Sequence, residues 1–173
     1  MKIFMNHIRN VPDFPVKGIQ FKDITTLIKN GDLFAQAIDL IYDPFRNEEI
    51  NKIVSIEARG FIFGSALAYK LNAGFVPVRK PGKLPAETMS EEYELEYSKD
   101  SIEIHKDAIE KGDKILIVDD LLATGGTAVA CCKLVEKLGG QIVGLSFLIE
   151  LIQLNARNFL KNYKIYSIVT YPI

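Results

Sequence analysis

The chain has little of what several protein classes require. It contains only 2 cysteines, and these are the neighbours Cys131 and Cys132, too few for a disulfide framework and wrongly spaced for a zinc site. Both read as reduced thiols in or just under the core. No window is apolar for long enough to span a bilayer, and the opening segment MKIFMNHIRN lacks the continuous apolar stretch of a secretory signal. The default expectation is a cytoplasmic protein with no membrane partner. An excess of positive charge is missing as well: 21 Lys and Arg face 22 Asp and Glu, a formal net charge of −1 with pI near 6.1. That removes the global footprint of a nucleic-acid binder, although a local basic patch is still allowed. There is no internal repeat and no low-complexity segment. Gly82-Lys83 runs into Leu84, so there is no Walker A loop, and no G-x-G-x-x-G dinucleotide fingerprint occurs.

What is present suits one soluble domain spanning residues 1–173, 48% hydrophobic and 25% charged, with a sizeable core. After about residue 30, strand-like and helix-like segments alternate, which predicts an α/β fold built on a mostly parallel sheet. Apolar periodicity predicts a helix over Leu33 to Phe45, fraying at Pro44, and a buried helix over Phe61 to Leu71 that ends at Asn72-Ala73-Gly74. Strands are expected at Lys52 to Ile56, Phe75 to Val78, Ile115 to Val118, Gln141 to Leu148 and Ile165 to Val169, with helices over Ala128 to Leu138 and Leu151 to Leu160. Tyr93 to Tyr97 and Ser101 to His105 alternate polar and apolar residues, as an antiparallel hairpin at a sheet edge would.

Two regions fall outside this alternation. VPDFPVKGIQFKDIT, from Val11, carries Phe14, Ile19 and Phe21 without helix or strand period, and loops with so many large apolar residues usually lie over something. KPGKLPAETMSEE, from Lys80 to Glu92, reads as a long mobile loop, and such loops are often lids.

The most informative segment is KILIVDDLLATGGT, Lys114 to Thr127. An apolar run delivers Asp119 and Asp120 to the carboxyl end of a parallel strand, where open α/β sheets bind ligands. Ala123, Thr124, Gly125, Gly126 and Thr127 then form a turn at a helix N-terminus, whose free N–H groups and dipole attract anions. A phosphate fits the turn and a diol fits the carboxylates. A second strand-to-helix corner, Glu57-Ala58-Arg59-Gly60, can also bind an anion, and Arg79, Lys80 and Lys83 supply three cations within five positions. Two such corners match a ligand with phosphate groups at both ends.

The Lys114 to Thr127 segment resembles the 5-phosphoribosyl-1-pyrophosphate motif of type I phosphoribosyltransferases. VPDFPVKGIQFKDIT, EARGFIFG, VRKPGKLP, LEYSKDSIEIHKDAI, VDDLLATGGT and LSFLIEL, in this order and spacing, are similar to the motifs of the adenine phosphoribosyltransferase family. The resemblance implies that family's fold: a mostly parallel central sheet flanked by helices, a small N-terminal hood over about residues 1–30 that binds the base, and a flexible catalytic loop at about 80–92. It also implies transfer of the phosphoribosyl group to N9 of adenine with inversion, giving AMP and pyrophosphate, with Mg²⁺ held mainly by substrate and water rather than by direct protein ligands. By the same resemblance, Phe21 stacks on the purine and Leu121 covers its other face. Backbone groups of Gln20 and Lys22 read the adenine edge, Glu96 handles the imidazole proton, and Tyr97 sits near the reaction centre. Asp119 and Asp120 hold the ribose hydroxyls, while Arg59, Lys80 and Lys83 offset charge on the pyrophosphate. The family implies a homodimer with Arg79 reaching across the interface, and a cis Glu57-Ala58 peptide in the pyrophosphate loop. Lys22 and Gln20 depart from the more common Arg and apolar residue, which leaves side-chain roles there open.

Two other functions compete. A 6-oxopurine phosphoribosyltransferase usually has a different base-binding region, and FKDIT and LEY argue against it. A phosphoribosyl-pyrophosphate-sensing regulator needs a nucleic-acid-binding module or basic face, for which this length and charge leave little room.

Overall fold

In the computed structural model, residues 2–94 and 99–172 are described. A five-stranded, all-parallel sheet forms the centre, in the order β4 (Gly74–Val78), β3 (Lys52–Ile56), β7 (Lys114–Leu122), β8 (Gln141–Leu151), β9 (Ile165–Tyr171). The chain leaves β3 through helix α4 (Arg59–Leu71) toward β4, but leaves β7 through helix α5 (Gly126–Lys137) toward β8. The winding direction therefore reverses between β3 and β7, and beyond the carboxyl ends of strands at such a reversal lies the ligand crevice of an open α/β sheet.

Each strand is short and apolar because both faces are covered. On β7, Ile115 and Ile117 join a core cluster with α5 residues such as Cys131, Leu134 and Val135, while Leu116 and Val118 join one with Phe63 and Leu67 of α4 and Ile38 and Ile41 of α3 (Gly31–Tyr42). The alternation is that of a pleated strand. It breaks after the two aspartates, since Leu121 packs with the α4 cluster and Leu122 with the α5 cluster. Helix α3 starts at an Asn30 cap whose side chain accepts from the Leu33 N–H at 3.1 Å, and α4 stops at Asn72, a left-handed residue at φ 52°.

Three segments differ from the sequence reading. The N-terminal stretch is not an irregular loop: after helix α1 (Lys2–Asn6), β1 (Arg9–Pro12) pairs antiparallel with β2 (Gln20–Asp23), and the short helix α2 (Thr25–Ile28) follows. Its prolines and glycine lie in or beside the connection, which hides the strand period. Phe4, Ile8, Ile24 and Leu27 seat this arm on the α3–α4 cluster. The expected loop from Lys80 to Glu92 ends in strand, because β5 (Thr88–Glu94) pairs with β6 (Lys99–His105), starting five residues before the expected hairpin. Pro81, Gly82 and Pro85 mark a shorter connection, and the polar TMSEEYE carries little strand signal. The hairpin is a separate two-stranded sheet, joined to the end of β4 by paired backbone bonds between Arg79 and Glu103 at 3.0 and 2.7 Å. It packs on α5, where Glu91 meets Lys133 at 3.0 Å and Lys137 at 2.5 Å. Finally, Leu151 to Leu160 is not a helix. β8 runs on to Leu151, and 3₁₀ turns at Ile152–Leu154 and Ala156–Phe159 are separated by Asn155 at φ 53°. The apolar spacing imitates a helix, but a left-handed residue in its middle breaks it.

Close packing of α4 on β3 requires Gly64: a β-carbon there would fall 1.8 Å from Ser55 Oγ and 2.8 Å from Ser55 Cβ. Gly64→Ala is expected to lower the unfolding free energy by about 1–3 kcal/mol in urea denaturation. Gly31→Ala, with nothing within 4 Å of the new carbon, should change it by less than about 1 kcal/mol. Equal effects at both positions would remove the close approach as the cause.

Candidate active site

The two strand-to-helix corners meet at the reversal point. A β-carbon on Gly60 would lie 2.6 Å from Asp119 Oδ1 and 3.3 Å from its Cα, so only glycine lets α4 start this close to the end of β7. Arg59 precedes it, with Nε 2.9 Å from Asp120 Oδ2. This ion pair is not aligned as a hydrogen bond, and Asp120 Oδ2 is a buried oxygen with no donor among the described residues. Asp119 Oδ1 accepts the Asp120 N–H at 2.8 Å. Burial, and then the neighbouring Asp120 charge, push the Asp119 carboxyl well above its ordinary value. Burial also raises Asp120, with Arg59 opposing it. The guanidinium thus pairs with the buried Asp120 while Asp119 beside it has no ion-pair partner among the described residues, a state suited to a ligand offering hydroxyl donors.

Arg59 also connects this pair to the N-terminal arm. Its guanidinium carbon lies 4.9 Å from the centre of the Phe21 ring, and Nη1 donates to the Lys22 carbonyl at 3.4 Å. Phe14 meets the same ring edge-on at 5.0 Å. The side chains of Gln20 and Lys22 are tied to each other through Asn10, at 2.6 and 2.9 Å, and the Lys22 ammonium stands 4.4 Å from the Tyr171 ring centre. Strand alternation puts these side chains on the face of β2 opposite Phe21. Pro12, the partner of Gln20, has no N–H to give, and the Lys22 carbonyl points out of the ladder toward Arg59. In an antiparallel pair, alternate residues turn both backbone groups the same way, so Gln20 and Lys22 present theirs on the free edge. Leu121, partly buried on the α4 side, packs in the same cluster as Ile24 of the arm.

At the other corner, the peptide Glu57-Ala58 is cis. The Glu57 carboxylate receives the Lys80 N–H at 2.6 Å and Arg79 Nε at 2.9 Å, and Arg79 Nη1 donates to the Lys83 carbonyl at 3.0 Å. Burial opposes ionisation of Glu57, but the Lys80 N–H and Arg79 outweigh it and hold the carboxyl below its ordinary value. Glu57 thus fastens the basic segment to the end of β3. The Lys80 ammonium contacts Asp100 and the Tyr93 hydroxyl on the β5–β6 hairpin. Burial works against its charge, yet these two partners more than offset it and raise its pKa.

The turn before α5 has Gly125 at φ 90°, and the helix starts with no side-chain cap, which leaves its first N–H groups to a ligand. Thr124 is exposed, while Ala123, Gly126 and Thr127 are partly buried beside it. Cys131 and Cys132 are buried; burial raises Cys131 strongly and pushes Cys132 up to about 12, as inert thiols require. Glu96 and Tyr97 lie outside the described residues. Asn10, Tyr93, Asp100 and Tyr171 were not among the residues expected at the site, because their contacts join segments that the sequence does not bring together.

Residues 23–171 match the model of the phosphoribosyl transferase domain family. An adenine phosphoribosyltransferase of Brachyspira hyodysenteriae is 57% identical over 166 residues, covering 96% of this chain and 98% of that relative. The chain is similar to the crystal structure of adenine phosphoribosyltransferase from Thermoanaerobacter pseudethanolicus, with TM-score 0.96 and 52% identity over 98% of this chain and 99% of that one. It is also similar to the Saccharomyces cerevisiae enzyme complexed with D-2,5-dideoxy-2,5-imino-altritol 1,6-bisphosphate and adenine, with TM-score 0.91 and 40% identity over 96% and 97% of the two chains.

The folded chain holds the Asp119 proton more tightly than the unfolded chain does, so ionisation costs stability as pH rises above the ordinary carboxyl value of 3.8. Asp119→Asn is expected to raise the melting temperature at neutral pH by about 2–4 °C, the shift that about 1 kcal/mol produces in a chain of this size. The gain should shrink as pH falls toward the ordinary carboxyl range. A thermal scan showing no gain at neutral pH would contradict the strained state of this carboxylate.

Proposed function

The chain belongs to the phosphoribosyl transferase family, among its adenine phosphoribosyltransferases, and we propose that its site transfers the 5-phosphoribosyl group from 5-phosphoribosyl-1-pyrophosphate to N9 of adenine. The products are AMP and pyrophosphate. The observation that carries this reading is the meeting of the two corners, where Gly60 lies against Asp119 and Arg59 spans from Asp120 to Phe21.

Each part of the reaction has a place. The 5′-phosphate sits in the turn Ala123 to Thr127, on the N–H groups that open α5, with the Thr124 and Thr127 hydroxyls beside it. The 2′- and 3′-hydroxyls donate to Asp119 and Asp120, relieving the buried carboxylates. Adenine stacks on Phe21, with Leu121 closing its other face. The outward N–H and C=O groups of Gln20 and Lys22 meet N1 and N6; hypoxanthine and guanine, which carry a 6-oxo group and N1–H, would leave these groups unpaired. Electrons move from N9 to C1′ as the C1′–oxygen bond to pyrophosphate breaks, and positive charge develops on the ribose. Asp119 and Asp120 stabilise that charge from below. Arg59, Lys80 and Lys83 offset the negative charge that grows on the departing pyrophosphate, with Arg59 starting from its contacts with Asp120, the Phe21 ring and the Lys22 carbonyl. Glu57 fastens the segment that carries Lys80 and Lys83 beside the Glu57-Ala58 corner.

No group of three or more His, Cys, Asp or Glu suited to a metal occurs among the described residues. The donor set, two carboxylates of which one is already ion-paired to Arg59, fits Mg²⁺ that arrives on substrate oxygens and keeps its waters. So carried, it would offset negative charge on the departing pyrophosphate. Glu96 and Tyr97, in the connection between β5 and β6, belong to this reading as proton handler and neighbour of the reaction centre, and closing the hairpin over the site would keep water from the ribosyl cation. A cytoplasmic homodimer, with Arg79 acting toward a second copy, completes it. No helix in the described residues is long and apolar enough to cross a membrane.

Purified protein is expected to form AMP and pyrophosphate from adenine and 5-phosphoribosyl-1-pyrophosphate in a magnesium-dependent way, and far less nucleotide from hypoxanthine or guanine. Equal turnover of 6-oxopurines would sink the adenine assignment. Asp119→Asn with Asp120→Asn should lower kcat by about 10²-fold or more with the fold retained; near-normal rates would remove the pair from the mechanism.

A further inference from the structure

Glu150 lies near the end of β8, only 3% exposed, and Arg157 grips it with two parallel bonds, Nε to Oε1 and Nη2 to Oε2, both 2.7 Å. The third arm of the guanidinium donates to the Ile165 carbonyl on β9 at 3.3 Å. This fork fixes the second 3₁₀ turn, Ala156–Phe159, against the sheet. Ala156, next to Arg157 and 3% exposed, is thereby pressed on the phosphate turn. A β-carbon built on Gly125 would fall 3.0 Å from Ala156 Cβ, 3.3 Å from its Cα and 3.4 Å from its carbonyl oxygen. From the other side, Glu150 pairs in register with Leu122, where β7 runs into that turn. The turn has no side-chain cap of its own, so the direction of its N–H groups depends on the surface that supports it.

We infer that Arg157, clamped by Glu150, is a positioning residue that seats Ala156 under Gly125 and so sets the geometry of the 5′-phosphate cradle; this rests on the phosphoribosyl reading above. Neither charged side chain reaches the substrate. The Arg157 hydrogen bonds outweigh burial and hold the Glu150 carboxyl below its ordinary value. A lysine would keep the charge but lose the fork and the link to Ile165.

The test uses Arg157→Ala, Arg157→Lys and, as a stability control, Phe45→Leu, whose ring packs over Gly144 toward the amino end of β8. Steady-state constants are measured for both substrates, with ribose 5-phosphate binding followed by calorimetry. Arg157→Ala should raise KM for 5-phosphoribosyl-1-pyrophosphate and weaken ribose 5-phosphate binding by about tenfold or more, since small misplacement of binding groups has effects of this size. The adenine KM should stay within about twofold, and Arg157→Lys should fall between wild type and Arg157→Ala. Phe45→Leu should lower the melting temperature without separating the two KM values. The inference is overturned if Arg157→Ala only lowers the melting temperature, or if both KM values rise together. Should Arg157→Ala fail to fold, the same ratio in Arg157→Lys decides. If wild-type protein made no AMP, the adenine reading would fall, and ribose 5-phosphate calorimetry would still decide the clamp.

Discussion

Two adjacent carboxylates, Asp120 buried and Asp119 partly buried, stand near the end of a parallel strand with the Arg59 guanidinium paired to Asp120, and much of the architecture exists to make that possible. A buried carboxylate whose charge is incompletely matched costs several kcal/mol in the folded state. The sheet tolerates Asp119 and Asp120 because β7 is anchored on both faces by apolar clusters. Gly60 then brings the start of α4 close enough for Arg59 to reach Asp120. That arrangement leaves Asp120 Oδ2 buried with an ion pair but no aligned hydrogen bond. A diol is the ligand that lowers this energy, and the benefit grows as the ribose becomes cationic, so ground-state strain and transition-state stabilisation have the same source.

Base recognition depends on a different economy. The N-terminal arm contributes a two-stranded ladder whose free edge offers backbone groups, while Phe21 points to one face and the Gln20 and Lys22 side chains to the other. Main-chain groups cannot be altered by substitution, so recognition through them does not depend on which side chains stand at positions 20 and 22. Arg59 links the two halves, touching the Phe21 ring, the Lys22 carbonyl and Asp120. In the proposed reaction, a single side chain would thus register base and ribose.

Much of this was legible in the sequence, for physical reasons. Strands buried on both faces read as continuous apolar runs, and the turn before α5 announces itself through glycines that follow an Asp pair, so the sheet strands and this turn could be located, although β7 runs on to Leu122, through both aspartates and past the expected end at Val118. Segments whose structure depends on remote partners could not. Thr88 to Glu94 is polar and becomes a strand only because β6 lies beside it and α5 beneath. LIQLNARNFL has the spacing of a helix, but the left-handed Asn155 and the Arg157 fork to Glu150 bend it into two 3₁₀ turns. The contacts of Arg59 with the Phe21 ring and the Lys22 carbonyl were likewise hidden, since they join segments far apart in the chain.

The central claim is that the Asp119–Asp120 pair is strained by burial and relieved by ribose hydroxyls. Carboxyl carbon chemical shifts of these two residues, followed by NMR against pH with and without AMP, test it most directly. The account predicts that Asp119 titrates well above ordinary carboxylates in the free protein and moves to lower pH when AMP is bound, because hydroxyl donors stabilise the charged form. An ordinary Asp119 titration in the free protein, unchanged by AMP, would contradict it.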